Sequence, residues 1–174
     1  MNEVSKDTLE RARRVRLMIF DVDGVLTDGT LLYGPAGEEL KAFSAHDGHG
    51  MKMLSNTGVA CALLSGRRSA AVAARAAELG LAHVLQGIED KLGAAERLGV
   101  PLSQLGFMGD ELVDLPVLTR CGFACAPREA PDEVRSRVHY VARAPAGRGA
   151  VREVCELVMR AQDSFERALG QYLA

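Results

Sequence analysis

The stretch VRLMIFDVDGVLTDG, residues 15–29, decides how this chain is read. It opens with a short apolar run, Val15 to Phe20 broken only by Arg16, and stops at Asp21. A run of that length bounded by turn formers is the pattern of a buried strand. Two residues after the first acid comes a second, Asp23, and then Gly24, so the strand ends in paired carboxylates on a turn.

Outward from this point the same grammar repeats. Gly58–Ser65 (GVACALLS), Leu81–Leu85, Leu105–Gly109, Gly122–Cys125 and Tyr140–Val141 are further strand candidates. Between them lie helical patterns at Gly48–Asn56, Arg68–Leu79, Glu89–Leu98, Leu112–Arg120 and Pro131–Arg137. The Ala-rich helix over residues 70–79 stops at Gly80, a natural residue for the position after a helix. Strands alternating with helices predict an α/β fold, a doubly wound Rossmann-like parallel sheet with helices on both faces. Thr30–Ser44 departs from the alternation: LLY and ELKAF flank the turn cluster YGPAG, which predicts a β-hairpin inserted directly after the first strand. Its Leu31, Leu32, Tyr33, Leu40 and Phe43 would be partly exposed in a monomer, the mark of an interface. Apolar residues at near-helical spacing predict one C-terminal helix over about 149–168.

Composition narrows the function classes. The chain has 174 residues, the size of one domain, so residues 1–174 are expected to form a single unit. Its net charge is −2, with no basic excess for nucleic acid, and 5% aromatic residues offer few stacking platforms. Residues 1–14 are of mixed charge and lack the apolar core of a signal peptide, and the apolar runs are too short to span a membrane. A cytoplasmic protein without nucleic-acid or membrane partners is expected. Cys61, Cys121, Cys125 and Cys155 are then expected as free thiols. The C-x3-C spacing of Cys121 and Cys125, with no second pair, is a weak zinc pattern.

The chemistry-bearing residues gather at the strand ends, where ligands bind in such sheets. The first strand ends at Asp21 and Asp23, the second at Ser65-Gly66-Arg67, and the fourth at Gly109-Asp110-Glu111, with Asp114 one helical turn on. Lys91 opens the helix after the third strand. Clustered carboxylates repel unless protonated or bridged by a cation, and a hard ion such as Mg²⁺ takes oxygen ligands and partners phosphate. One carboxylate can attack phosphorus and a second can move the proton, while a hydroxyl and an amine hold the phosphoryl oxygens.

DVDGVL, LLSGR, Lys91 and GDELVD, in this order, resemble the four motifs of the haloacid dehalogenase superfamily of phosphotransferases. The resemblance implies Asp21 as nucleophile and Asp23 as general acid/base. It further implies Mg²⁺ on Asp21, Asp23 and Asp110, phosphate contacts from Ser65, Gly66 and Lys91, and support from Asp114 and Glu111. Further stretches, GEELKAFSAHDGHGMKML and RAPAGRGAVREVCELVMRAQ, resemble a capless branch whose members hydrolyse the 8-phosphate of 3-deoxy-D-manno-octulosonate, the sugar acid of bacterial lipopolysaccharide. That implies a Mg²⁺-dependent homotetramer in which a neighbouring subunit covers each site. Arg67, Arg68, Thr27, Asp28, Lys41, His46 and Arg148 are the substrate candidates. Two departures stand out: Glu111 replaces a frequent Asp, and His46 replaces an Arg found in some members. A phosphatase of a nine-carbon sialic-type acid 9-phosphate is the nearer alternative. A receiver-type phosphoacceptor domain is the more distant one, disfavoured because both Asp21 and Asp23 lie on the first strand.

Overall fold

A computed structural model describes residues 4–173. Its central sheet is built from β1 (Leu17–Phe20), β4 (Ala60–Ser65), β5 (His83–Gln86), β6 (Leu105–Met108), β7 (Phe123–Ala126) and β8 (Tyr140–Val141), in the order β5-β4-β1-β6-β7-β8. Every pairing in it is parallel. β1 is buried at all four residues, and its side chains alternate between two cores. Met18 and Phe20 enter one; Leu17 and Ile19 enter the other. The two-residue period of a strand explains why a central parallel strand must be apolar throughout.

The first core is covered by α1 (Lys6–Arg13), α2 (Ala45–Asn56), α3 (Ala70–Leu79), α7 (Ala150–Ala161) and α8 (Phe165–Gly170). The second is covered by α4 (Lys91–Glu96), α5 (Leu115–Leu118) and α6 (Asp132–Arg135). The sheet is therefore doubly wound, as expected. The chain leaves β1 toward β4 and β5, then returns to the other side of β1 as β6. The switch point lies between β1 and β6, so the crevice at their carboxyl ends is where a ligand belongs. β2 (Leu32–Tyr33) and β3 (Glu39–Leu40) pair antiparallel as the inserted hairpin.

Several boundaries differ from expectation. α1 went unread; it buries only Thr8 and Ala12, and its best signal is the cap, where Thr8 N–H donates to Ser5 Oγ at 3.1 Å. α2 starts at Ala45 rather than Gly48, because Ser44 Oγ accepts from Asp47 N–H. The region expected as one helix over Leu112–Arg120 is a 3₁₀ turn at 112–114 followed by α5. The single C-terminal helix over 149–168 is corrected to two. Gln162 donates its side-chain amide to the carbonyls of Ala12 and Val15, and Asp163 turns left-handed with φ 56°. Ser164 then closes on the carbonyl of Met159 through both N–H and Oγ. Of the hairpin residues expected to be partly exposed, Leu31, Leu32, Tyr33 and Leu40 are exposed, and Phe43 is half-buried with one side packed against the first core. Among the described residues no helix is long and apolar enough to cross a membrane, and all four cysteines are free and buried.

Candidate active site

The carboxyl ends of β1, β4 and β6 open on a cleft of about 350 Å³ lined by Asp21, Asp23, Ser65, Gly66, Arg67, Lys91, Asp110 and Glu111, with Leu31 and Val113 at its rim. At its floor Lys91 is only 5% exposed. Its Nζ lies 3.0 Å from Asp21 Oδ2 and donates to Asp114 Oδ1 at 2.6 Å. The other oxygen of Asp114 accepts from the N–H groups of Asp110 (3.0 Å) and Glu111 (3.1 Å). Asp114, with no exposure, thus ties the ammonium to the loop that carries Asp110. Burial alone would lower the Lys91 ammonium, but the charges of Asp21 and Asp114 outweigh it and hold it above its ordinary value.

The carboxylates beside it are under strain of charge. Burial pushes Asp21 up to about 6, with Lys91 pulling back. Burial, then the charges of Asp21 and Asp114, push Asp110 up to about 8. Asp110 Oδ1 is buried and has no hydrogen-bond partner. Gly24, at φ 81°, makes room for this group: a Cβ there would overlap the Asp110 carboxylate. Oxygens of Asp21, Asp110 and Asp114 lie within 4.8 Å of one another. Of these, Asp114 has both oxygens engaged, so Asp21 and Asp110 are the pair left to face a cation. An orphaned carboxylate oxygen next to a second carboxylate is a donor set that fits a hard divalent ion.

Asp23 is placed differently from its partner in the motif. Its carboxylate turns toward the hairpin, ion-paired with Lys41 and 3.6 Å from Arg67 Nε. Both cations also reach Glu39 Oε1, Lys41 at 3.0 Å and Arg67 Nη2 at 2.8 Å; Arg67 Nη2 also donates to Tyr33 Oη at 3.1 Å. Arg67, then Lys41, hold the Glu39 carboxyl down to about 2. Glu39 was missed in the sequence: it lies on β3 beside Lys41, which is just outside that strand, and beside Arg67, brought in from the loop after β4. Ser65, 3% exposed, ends β4 with its Oγ accepting from Arg67 N–H at 3.2 Å.

The remaining candidates separate. Thr27 shapes the loop: its Oγ1 accepts from Gly24 and Gly29 N–H. Asp28 and Arg148 line an adjoining cavity of about 550 Å³, together with Asp110, Arg128 and Glu129. Glu111 turns back to accept from Leu112 N–H at 2.7 Å. Arg68 packs over Gly87 and His46 is exposed on the first turn of α2; neither lines the cleft.

Along 171 residues the chain is 43% identical to the 3-deoxy-D-manno-octulosonate 8-phosphate phosphatase KdsC of Yersinia pestis, covering 96% of this chain and 91% of that one. The chain belongs to this phosphatase family, within the haloacid dehalogenase superfamily. Solved structures agree with the KDO 8-phosphate phosphatase assignment. A probable YrbI family phosphatase from Pseudomonas syringae is 44% identical, with TM-score 0.95 over 98% of this chain and 99% of that one. The KDO 8-phosphate phosphatase of Moraxella catarrhalis, solved with magnesium, phosphate and KDO, is 37% identical, with TM-score 0.92 over 95% of this chain and 98% of that one. No family model matches the chain.

Proposed function

We infer that this chain is a Mg²⁺-dependent phosphatase that hydrolyses KDO 8-phosphate to KDO and phosphate. The observation that carries the chemistry is the buried, unpartnered oxygen of Asp110 beside Asp21, with Lys91 bridging Asp21 to Asp114. The substrate class follows from the 43% identity to the Yersinia enzyme and the likeness to the KDO-bound Moraxella structure.

The roles are those the family resemblance implies, and the positions of Asp21, Lys91 and Asp110 support them. Asp21, oriented by Lys91, attacks phosphorus, and the bond from phosphorus to the sugar oxygen breaks. Asp23 gives a proton to the departing oxygen, then takes one from the water that attacks the aspartyl-phosphate and restores Asp21. Ser65, Gly66 and Lys91 hold the phosphoryl oxygens as charge develops. Asp21 and Asp110 would hold Mg²⁺, which would supply positive charge against the nucleophile and the phosphoryl group; the Asp23 side chain, expected as a third ligand, is instead ion-paired with Lys41 and lies outside the group of Asp21, Asp110 and Asp114. Lys41 and Arg67 fix the Asp23 carboxylate; Lys41, buried and paired with Asp23 and Glu39, does not reach the cleft, and of the two Arg67, on the cleft wall, is the cation left to meet a sugar acid.

We treat residues 1–174 as one catalytic domain, of which residues 1–3 and 174 lie outside the described residues. A homotetramer with a neighbour over each cleft accounts for the exposed hairpin residues, Tyr33 at 59% and Leu40 at 54%. Sedimentation at micromolar concentration is expected to show the tetramer, and a monomer would refute it. A cytoplasmic setting is in keeping with four buried free thiols.

Phosphate release from KDO 8-phosphate and from a nine-carbon sialic-type acid 9-phosphate, with and without Mg²⁺, tests the assignment. The expected result is Mg²⁺-dependent release with the higher kcat/KM on KDO 8-phosphate. An intact KDO 8-phosphate sample would overturn it.

The carboxyl shifts also set a pH dependence. A carboxyl held above its unfolded value binds protons on folding across the interval between the two. For Asp110 that interval runs from 3.8 to about 8, so the metal-free protein loses stability from this group as pH rises through it. A bound Mg²⁺ would offset the causes of the shift, burial first and then the charges of Asp21 and Asp114, by favouring the ionised carboxylate. The Tm gain on adding Mg²⁺ is therefore expected to be larger at pH 8 than at pH 5. Equal gains at both would count against Asp110 as a ligand.

A further inference from the structure

Helix α7 begins without a cap of its own. Its N-cap residue is Gly149, at φ 116°, which has no side chain to accept from the first turn. The acceptor comes from another helix. Asp47, in the first turn of α2, receives Gly149 N–H on Oδ2 at 3.2 Å and Arg152 N–H on Oδ1 at 2.8 Å. A carboxylate at a helix N-terminus satisfies orphan donors and meets the positive end of the dipole. Asp47 has no exposure and no part in the chemistry above.

The segment leading into α7 is held throughout. Glu153 accepts from Arg143 and Ala144 N–H, and Glu129 accepts from Ala146 N–H. Gly147 N–H donates to the carbonyl of Val25 at 3.0 Å, and Arg148 N–H to that of Pro145. Every amide N–H from 143 to 150 therefore has an acceptor, Pro145 having none to offer. Gly147 lies so close to the catalytic loop that a Cβ on it would stand 2.7 Å from the Thr27 carbonyl carbon. The next residue, Arg148, lines the cavity that holds Asp110, Gly24 and Asp28.

We propose that Asp47 is a positioning residue: by capping α7 from α2 it fixes the 145–149 loop against the Val25–Thr27 turn and so places Arg148 at the substrate cavity. The substrate half of this rests on the phosphatase reading of the cleft. Arg148 then supplies a cationic contact to the anionic sugar acid, outside the group that carries out phosphoryl transfer.

The test compares Asp47→Asn, Asp47→Ala, Arg148→Ala and the double variant Asp47→Ala/Arg148→Ala, all with Mg²⁺ and well below their Tm. KM for KDO 8-phosphate is expected to rise about tenfold in Asp47→Ala and in Arg148→Ala, with kcat nearly unchanged. The double variant is expected to be no worse than the larger single, since both act through one contact. kcat/KM for p-nitrophenyl phosphate, which has no sugar acid to meet the loop, falls far less than that for KDO 8-phosphate. Hydrogen exchange over residues 143–152 quickens in both Asp47 variants. Asp47→Asn, which keeps shape and loses charge, shows a smaller rise in KM and carries the comparison if Asp47→Ala does not fold. An unchanged KM, additive effects, equal loss on both substrates or unchanged exchange would each overturn the proposal. Failure of the substrate assignment looks different: the wild type itself leaves KDO 8-phosphate intact, while the exchange comparison still reports on the loop.

Discussion

Asp21→Asn is expected to abolish phosphate release, with kcat falling on the order of 10⁴-fold or more. The amide keeps the shape of the side chain, and its oxygen can still accept from Lys91 at the position of Asp21 Oδ2, 3.0 Å away. What it lacks is an anionic oxygen able to attack phosphorus. The loss should therefore not be recovered with more substrate or more Mg²⁺. Stability should move the other way from activity. Burial works against the Asp21 charge, which also pushes up its neighbour Asp110. Removing that charge relieves both groups, so the metal-free variant is expected to melt no lower than the wild type. A variant that keeps more than about a hundredth of wild-type kcat would place the nucleophile elsewhere.

Lys91→Met is expected to damage folding and catalysis together. The methionine fills the volume of the stem but removes the ammonium between Asp21 and Asp114. Breaking a buried ion pair by removing one partner costs about 3–5 kcal/mol, because the other charge stays behind. For a chain of this size that is a fall in Tm of roughly 6–20 °C. The deficit should shrink as pH falls, because the stranded carboxyls can then neutralise by taking up protons. Loss of a donor to the phosphoryl oxygens should lower kcat by about 10²–10³-fold in whatever protein remains folded. A Tm within about 1 °C of wild type would mean that the Lys91 ion pairs add no net stability, their attraction only balancing the cost of burying the charges. Thermal melts at pH 5 and pH 8, with kcat on the folded fraction, decide between these outcomes.

The fold was legible because the sheet is parallel and buried. Six apolar runs read as strands, and all six are strands; β1, β6 and β7 are buried at every residue and leave no polar residue to blur the pattern, whereas the edge strands β5 and β8 are only partly buried. Helix edges were less legible, for local reasons. α1 buries too little to show an apolar stripe, and the stop at Gln162–Ser164 depends on a glutamine reaching carbonyls some 150 positions away in sequence. The motif residues Asp21, Ser65, Lys91 and Asp110 could be named because each closes a strand or opens a helix at one edge. Their division of labour could not. That Asp114 spends both oxygens on Lys91 and on two backbone amides, and that Asp23 faces the hairpin, follow from three-dimensional packing. Glu39 and Asp47 escaped notice for the same reason: what they bind comes from other elements or from distant sequence.

The central claim is transfer of the phosphoryl group through Asp21, and direct trapping of that group tests it. Wild-type and Asp23→Asn proteins would be mixed with KDO 8-phosphate and Mg²⁺, acid-quenched during turnover, and mapped by peptide mass spectrometry. The expected result is a phosphoryl group on Asp21 in the wild type, and in Asp23→Asn a phosphoryl group on the same residue that both forms and disappears more slowly, because that variant lacks the proton donor of the first step and the base of the second. A phosphoryl group on another residue, or none while Asp21→Asn still releases phosphate, would contradict it.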